Sequence, residues 1–418
     1  MAISFHRVGP VFVAFVSTAL AQPLQRLSLP EAISIALQNN ERILTAQREV
    51  DAASARILQA GRIPNPELSV TYNEAPTNFS LGSAGERDIG FTQTIEFPGK
   101  RSSRVAAAGH GRAIAELSLK RQEAIVISQV KTAYYKVLLA AEVADNLEYT
   151  ISLVSDFLAV VTQRYQAGSS GYLDVIRSKV ELTRLRNDLA EAGRDYEIRL
   201  SELNVLLGRF PEEPVTLTDS LSYSPMQLTE DSAVVFYAEQ SAFLQIAAQE
   251  VARSQSLLSL AEKSYLPDFT FGAALQKRAG QISPTGFSNY LGFALGVSVP
   301  LWFWQGPRGE VQESRAAFDA SEIRYLAAQR RVRQSIRAAY RAAQVAETQV
   351  KAFETSLLRD VEDELRAGIT AYQNNQIDAL NLFDIYRTYR AAKIEYVRAL
   401  YNFSTAVAQL EAAKELPE

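Results

Sequence analysis

Side chains that perform chemistry are scarce in this chain. Its 418 residues include no cysteine, and the two histidines are His6 and His110. A zinc or copper site of the usual histidine and cysteine kind therefore cannot be assembled. No nucleophile–base pair, phosphate-binding loop or metal motif appears. We expect no catalytic residue, no cofactor, no metal site and no enzyme activity. The net charge of −4 does not indicate nucleic-acid binding.

Acidic side chains follow two predicted chain reversals and are the best candidates for contacting a charged substrate. The first reversal contains Gly168 and Gly171, and the second contains Asn374 and Asn375. Glycine and asparagine tolerate the left-handed backbone that reversals require. In a symmetric assembly each acid would form a ring that favours cations. For Asp174 and Asp378, helix capping is the alternative role. These acids are Asp174, Asp378 and Asp384.

Two proline-free stretches predict the long helices that position these acids. No proline lies between Pro98 and Pro211, or between Pro307 and Pro417. Interior proline breaks a helix, so such gaps mark where long helices can run. The predicted helices at about 100–166 and 308–373 would each span roughly 100 Å. That length exceeds a compact globular domain.

Four runs of alternating apolar and polar residues predict β-strands. In the last run Leu291, Phe293 and Leu295 alternate with Gly292 and Ala294. Each run is about 9–11 residues long, which a tilted strand needs to cross a bilayer. A soluble sheet packed on helices is the alternative. The strands are predicted at about 67–76, 88–97, 268–277 and 289–301.

Four strands are too few to close a membrane barrel, whose smallest form uses about eight. If the strands enter a membrane, closure therefore requires several copies of the chain. Three copies would give about twelve strands. Aromatic side chains near the strand ends are candidates for the membrane–water interface. They are Tyr72, Trp302 and Trp304.

The two halves of the chain resemble each other, which predicts an internal structural repeat. Residues 47–50 align with 248–251, and Pro66 aligns with Pro267. Each half is predicted to run helix, strand, loop, strand, long helix, turn, helix, with the last helices at about 172–208 and 378–414. The first repeat covers 22–210, a proline-rich connector covers 211–228, and the second repeat covers 229–418.

The first 21 residues have the pattern of an export signal. His6 and Arg7 precede an apolar stretch, and Ala19 and Ala21 supply the small residues of a cleavage site. The apolar stretch is shorter than the ~20 residues that a membrane-spanning helix needs. We predict cleavage after Ala21 and no lipid attachment at a cysteine. A short membrane anchor is the alternative.

Two segments resemble a known family. Residues 93–101, Gln-Thr-Ile-Glu-Phe-Pro-Gly-Lys-Arg, are similar to the strand-to-helix junction of the TolC-type outer membrane efflux proteins, and most to their heavy-metal branch, typified by CzcC. The turn that contains Tyr165 and Gly168, followed by Leu173, is similar to the family's turn between long helices. The junction candidates are Glu96, Pro98, Gly99, Lys100, Pro300 and Gly306.

The resemblance implies a mainly α fold with a β-barrel portion. Three chains would form a twelve-strand outer-membrane barrel continuous with a long periplasmic α-helical barrel. It also implies a periplasmic adaptor and an inner-membrane pump of the resistance-nodulation-division class as partners, in a Gram-negative bacterium. Heavy-metal cations are the expected cargo. The alternatives are multidrug efflux, type I protein secretion, or a soluble periplasmic coiled-coil adaptor or scaffold.

The resemblance further implies a gate at the helix turns. The family's tip carries a tyrosine, an arginine and aspartates that hold the closed state. Tyr372, Asp174 and Asp384 match this pattern, whereas Ile377 occupies the arginine position and Asn381 an acidic one. We therefore expect hydrophobic closure around Ile377, or opening on adaptor contact, instead of the family's salt bridge. The gate candidates are Asp174, Tyr372, Ile377, Asp378, Asn381 and Asp384.

Two further expectations concern the surfaces at either end of the strands. Lys100, Arg101 and Arg308, just beyond the junctions, are expected to face water or lipid headgroups. The loops at 77–86 and 278–288 are expected to face the cell exterior.

Overall fold

A computed structural model describes residues 25–74, 85–279, 287–302 and 304–415. The predicted signal segment and most of the two predicted exterior loops lie outside these residues. Helices dominate the described chain, and six strands accompany them. Within the described ranges, no helix combines the length and the apolar character needed to cross a membrane.

The first half of the chain contains four helices and three strands. A short strand is followed by two successive helices, a β-hairpin and then two long helices. The elements are β1 (Gln25–Leu27), α1 (Leu29–Asn39), α2 (Glu41–Ala60), β2 (Glu67–Asn73), β3 (Glu86–Ile95), α3 (Lys100–Gln166) and α4 (Tyr172–Leu206).

The second half repeats this order after a connector that contains one short strand. A π-helical segment, Phe353–Leu357, separates two of its helices. The elements are β4 (Val215–Leu217), α5 (Glu230–Glu239), α6 (Ala242–Glu262), β5 (Asp268–Ala279), β6 (Phe287–Ser298), α7 (Gly306–Ala352), α8 (Leu358–Gln373) and α9 (Ala379–Ala412).

The two hairpins form one antiparallel sheet of order β2-β3-β5-β6. The central pairing joins the halves of the chain, since β3 aligns with β5 from Glu86 opposite Arg278 to Ile95 opposite Phe269. One face of the sheet is apolar and exposed, and the other carries small and polar residues. The exposed apolar residues include Val70, Ile89, Phe91, Leu275, Leu291, Phe293, Leu295 and Val297.

Helix α3 is the spine of the structure. Its 67 residues extend about 100 Å at 1.5 Å per residue. It packs against α2 and α6 in one part and against α4 and α9 in another. Val126, Val130, Tyr134 and Val137 recur at helical spacing and are fully buried. Apolar clusters therefore follow one another along the helix instead of forming one compact core.

The connector is fastened to the long helices by buried polar groups. β4 pairs in parallel with β1. The Tyr134 hydroxyl lies 2.8 Å from the Asp219 carboxylate and 3.0 Å from the Leu27 carbonyl, two acceptors for its one proton. In α7, Glu347 accepts a hydrogen bond from the Tyr223 hydroxyl at 2.8 Å. These bonds tie the 211–228 segment to α3 and α7.

The second long helix differs from its expected form. The sequence predicts one helix at about 308–373, but the structure has α7, the π-helical segment Phe353–Leu357 and α8 in succession. A π segment accommodates one extra residue within an α-helix by a local, wider turn. Helical periodicity does not reveal it, because the apolar pattern resumes after the segment.

Candidate functional site

The two chain reversals lie together at the end of the molecule farthest from the large sheet. Gly168 has φ +75° and Asn375 has φ +55°, so one residue in each reversal adopts the left-handed backbone. Gly171 and Asn374 do not, since their φ angles are −77° and −89°. The sequence therefore indicated the correct residue types, and one residue of each predicted pair, Gly168 and Asn375, adopts the left-handed backbone.

Arg164 joins the two reversals and was missed by sequence reasoning. Its guanidinium donates to the carbonyls of Tyr372 (3.3 Å) and Gln373 (2.9 Å) and to the Asn375 side chain (2.9 Å). It also lies over the Tyr372 ring, 4.9 Å from the centroid. A cation at these carbonyls complements the carboxyl end of α8. The sequence feature that could have indicated this role of Arg164 is its place as a basic residue in the last turn of α3.

Tyr372 belongs to the apolar core of this tip. Only 6% of it is exposed. Its ring meets the Phe157 ring edge-on at 4.7 Å, and Phe157 meets Phe383 in the same way at 5.2 Å. Burial raises the pKa of Tyr372, the nearby Asp174 adds to this, and Arg164 opposes it. Tyr165 lies outside this core, against Tyr172 at 5.4 Å.

The three acids predicted for this region occupy different settings. Asp378 caps α9 by accepting from the Asn381 backbone N–H at 2.9 Å, as the capping alternative predicts. Asp174 is half-buried in the first turn of α4 and accepts from the Ser170 hydroxyl at 3.2 Å. Asp384 is 63% exposed at the side chain and lies 3.4 Å from Arg387.

Ile377 and Asn381 occupy the two positions that depart from the family pattern. Ile377 is half-buried and packs against the same apolar core as Tyr372. Asn381 is exposed in the first turn of α9. The surface that Ile377 offers to another copy of the chain is therefore small.

Ion pairs above the tip connect α4, α8 and α9. Arg387 donates to Glu181 at 2.9 and 3.4 Å, and Glu181 is 9% exposed. Its bond to Glu181 raises the pKa of Arg387. Two more pairs continue the row, Arg390 with Asp188 at 3.4 Å and Lys393 with Glu362 at 2.6 Å. The signal in the sequence was the three-residue spacing of these bases on α9.

The first strand-to-helix junction is built around Asp268. This carboxylate accepts from the Phe97 backbone N–H and from Lys100, both at 2.8 Å. Lys100 also donates to the Leu266 carbonyl at 2.8 Å, and its side chain is 14% exposed. The expectation that Lys100 faces water or headgroups is therefore wrong, since its side chain is largely buried and bonded. The sequence around Lys100 does not indicate this, because both partners lie more than 160 residues further along the chain. Arg101 is exposed as expected.

Gly99 and Glu96 complete the first junction. Gly99 has φ +100° directly before α3, and a Cβ there would lie 3.1 Å from the Lys263 side chain. Lys263 donates to the Gly99 carbonyl at 3.2 Å. Glu96 accepts two bonds from Arg104, at 2.7 and 2.9 Å. Pro98 lies in the turn between them.

The second junction is more open. Pro300 follows β6, a turn bonded from Gln305 N–H to the Trp302 carbonyl at 3.0 Å comes next, and Gly306 begins α7. Arg308 is exposed. Trp302 and Trp304 are more than half exposed beside this junction, whereas Tyr72 lies at the opposite end of the sheet.

The described residues contain no group of three or more His, Cys, Asp or Glu side chains placed to hold a metal ion. His110 contacts the Gln249 side chain at 2.9 Å between α3 and α6. A single imidazole in this setting has the role of a packing residue.

Long helices that reverse at one end and continue into an amphipathic sheet at the other define a class of proteins, the outer membrane efflux channels. The chain belongs to the outer membrane efflux protein family, whose sequence profile matches residues 32–209 and again residues 237–414.

Individual relatives of the chain agree with this family assignment. The chain is 23% identical to the cobalt-zinc-cadmium resistance protein CzcC of Cupriavidus metallidurans over 384 residues, which cover 91% of this chain and 89% of CzcC. It is 24% identical to the outer membrane protein TolC of Vibrio cholerae, covering 96% and 95% of the two chains. The crystal structure of CusC has a TM-score of 0.75 at 16% identity, covering 92% and 91%.

These comparisons confirm the resemblance and the fold class, a mainly helical TolC-like chain with a small strand portion. The chain is an outer membrane efflux channel protein, and its family and fold are those of non-enzymatic transporters. Channels of this family form trimers and work with an adaptor and an inner-membrane pump. Its relatives and structural neighbours are outer membrane channels of Gram-negative bacteria.

Replacing Arg164 with alanine should loosen the second reversal. The substitution removes three hydrogen bonds to the 372–375 segment. Charged hydrogen bonds contribute about 1.5–3 kcal/mol each, so partial replacement by water should still leave roughly tenfold faster local opening. Amide hydrogen exchange of Asn375 and Gln376 measures this. Arg177→Ala, an exposed arginine on α4, is the control, and equal exchange in both variants would contradict the role of Arg164.

Proposed function

We propose that three copies of this chain close a barrel of about twelve strands in the outer membrane, continuous with a tunnel of helices in the periplasm. The assembly is the passive exit duct of a tripartite efflux system, which receives its cargo from a periplasmic adaptor and a resistance-nodulation-division pump. The observation that carries the proposal is the four-stranded sheet, which has one exposed apolar face and two open edges.

The open edges require partners. β2 and β6 are the outer strands of the sheet, and each presents a row of backbone groups on its outer side. Lipid supplies no hydrogen bonds, so an open edge there would cost several kcal/mol for each unpaired group. A second copy can satisfy β6 with its own β2, and a ring of copies leaves no edge. This support comes from backbone chemistry and is independent of any relative.

The helices also expose apolar surface that a neighbouring copy would cover. On α4 the exposed residues at helical spacing are Leu173, Ile176 and Val180, and on α7 they are Ile323 and Leu326. In a solitary helical protein such rows would remain in contact with water. Contiguous exposed apolar surface marks an interface, and these rows favour side-by-side packing of copies around a common axis.

The polar face of the sheet suits a water-filled path for cations. Its charged strand residues are Glu67, Glu86, Asp88, Asp268 and Arg278, which leaves an excess of carboxylates. Rings of carboxylates favour cations over anions. The relative CzcC is named a cobalt-zinc-cadmium resistance protein. Both observations support heavy-metal cations as the cargo, and the duct itself needs no bound metal to conduct them.

A face-specific substitution tests the barrel. Leu295 is 86% exposed on the apolar face, and Ala294 lies next to it on the polar face. Leu295→Lys should place a charge in hydrocarbon at a cost of about 2–4 kcal/mol and reduce the yield of membrane-inserted trimer. Ala294→Lys is the matched control and should insert normally.

The measurements are trimer mass in detergent and single-channel conductance in planar bilayers. Wild type and Ala294→Lys should form conducting trimers. The proposal fails if wild type stays monomeric and soluble without detergent, or if both lysine variants insert equally well.

Deleting the gene in its host tests the cargo. The deletion strain should lose growth on zinc, cobalt or cadmium at concentrations that the parent tolerates, because the pump would lack its exit. Wild-type protein should restore growth, and Leu295→Lys should not. Sensitivity confined to organic drugs, or loss of a secreted protein with metal tolerance intact, would contradict the metal assignment and favour the alternative cargoes.

The ion pairs above the tip are the proposed closing device of the duct. Glu181 on α4 and Arg387 on α9 lie within one copy, and their nearly buried contact holds the two helices together. The pair would supply the closing charge interaction that the family's arginine supplies, since the arginine position is occupied by Ile377 in this chain. Apolar packing of Ile377 then adds to closure without supplying a charge.

Glu181→Gln should raise the open probability of reconstituted trimers by about tenfold, the effect of 1.4 kcal/mol, because a partly buried ion pair loses its charge. Single-channel recording measures this. Glu191→Gln is the control on the same helix, since its pair with Arg194 is exposed on both sides. Identical open probabilities in the two variants would exclude the Glu181–Arg387 pair as a lock.

A further inference from the structure

One contact occurs in both repeats, and it establishes which residues of the repeats are equivalent. The Tyr340 hydroxyl donates to the Leu228 carbonyl at 2.9 Å, and the Tyr134 hydroxyl lies 3.0 Å from the Leu27 carbonyl. Leu228 comes 201 positions after Leu27, and Tyr340 comes 206 positions after Tyr134. Helices α2 and α6 begin 201 positions apart, and α3 and α7 begin 206 positions apart. Thus α6 is the counterpart of α2, and α7 is the counterpart of α3.

The packing of α6 on α3 joins the two repeats within one copy. Lys263, directly after α6, donates to the Ser103 hydroxyl at 2.6 Å and to the Gly99 carbonyl at 3.2 Å. Further along α3, the His110 ring contacts the Gln249 side chain at 2.9 Å. These polar contacts define the face of α3 that receives the second repeat.

The equivalent faces of α2 and α7 are uncovered in a single copy. Arg62 corresponds to Lys263, but Arg62 is exposed whereas Lys263 is half-buried. Ile323 on α7 is 68% exposed, although its counterpart Leu117 on α3 is half-buried. A second copy that packed its α2 on this α7, as α6 packs on α3, would cover both faces.

An acidic side chain lies where Arg62 of a second copy would arrive. Ser103, which Lys263 binds, corresponds to Gly309, and a Cβ added to Gly309 would meet no atom within 4 Å. Glu313 lies one turn beyond Gly309 and is exposed. A helical side chain leans toward the N-terminus over the preceding turn, so the Glu313 carboxylate can reach the space over Gly309. Within the described chain, neither Arg62 nor Glu313 has an ion pair.

We propose that α2 of one copy packs against α7 of the next, with Arg62 of the first copy paired with Glu313 of the second. The inference rests on the proposed trimer, and it specifies which surfaces of the copies meet. Arginine can bind both oxygens of a carboxylate, so the pair sets the register of α2 on α7 as well as the choice of partner. Three such pairs surround the axis where the tunnel helices begin.

Introduced cysteines test the packing, because the chain contains none of its own. Arg48 corresponds to Gln249, and Ala316 corresponds to His110, whose side chains touch within one copy. The variant with Arg48→Cys and Ala316→Cys should therefore be linked between copies by a short bis-maleimide and run as a covalent trimer on denaturing gels. Arg48→Cys with Glu322→Cys is the control and should not link, since Glu322 lies about 120° around α7 from Ala316.

Charge exchange tests the ion pair. Arg62→Glu and Glu313→Arg each place like charges together, so each should make the detergent trimer dissociate about tenfold faster. The variant with both substitutions restores opposite charges and should dissociate nearly as slowly as wild type. Glu322→Arg, which changes an exposed acid on another face of α7, is the control and should match wild type. Native mass spectrometry after dilution measures the dissociation rate.

Three results would overturn this interface while leaving the duct intact. They are conducting Arg48→Cys/Ala316→Cys trimers that link no better than the control, single exchanges that dissociate like wild type, and a double exchange no slower than the singles. The cysteine variants keep Arg62 and Glu313, so linking decides the packing even where an exchange variant does not assemble. Wild-type protein that forms no conducting trimer would instead overturn the proposed function itself.

Discussion

The pairing of β3 with β5 is the interaction on which the rest of the structure depends. It merges two hairpins, separated by more than 170 residues, into one sheet with a single apolar face. Asp268 fixes the start of this pairing by binding Phe97 and Lys100 where the strand gives way to α3. Helix α3 begins at that point, so the register of β3 and β5 sets its direction. The same register then sets the positions of the apolar clusters along α3.

Sequence reasoning succeeded where the information is local. Alternation and proline spacing indicated a mainly helical chain with a small strand portion, and the turn residues Gly168 and Asn375 are explained by backbone sterics alone. It failed where partners are remote in sequence. Lys100 looked like a surface residue because Asp268 is 168 positions away, and Glu181 and Arg387 are 206 positions apart. No window of the sequence contains both members of these pairs.

The tip and the junction follow different physical designs. At the tip, aromatic rings around Phe157 exclude water, and ion pairs surround that apolar core. At the junction, ion pairs are themselves the core, with Lys100 and Arg104 each bonded to a carboxylate and to backbone carbonyls. Apolar packing permits small sliding movements, whereas multiply bonded charges resist them. This contrast supports the proposal that the duct opens at the tip and stays fixed at the junction.

The π-helical segment has a consequence for how this protein can evolve. It is equivalent to one residue inserted into a continuous α-helix. The wider π turn takes up that residue locally, whereas one residue added to or removed from a regular α-helix rotates everything beyond it by about 100°. Loss of one of residues 353–357 would therefore restore a regular turn and leave Leu365 and Tyr372 on the buried side. The chain can thus change length by one residue in this segment without any change in the apolar stripe beyond it, which the regular turns on either side do not allow.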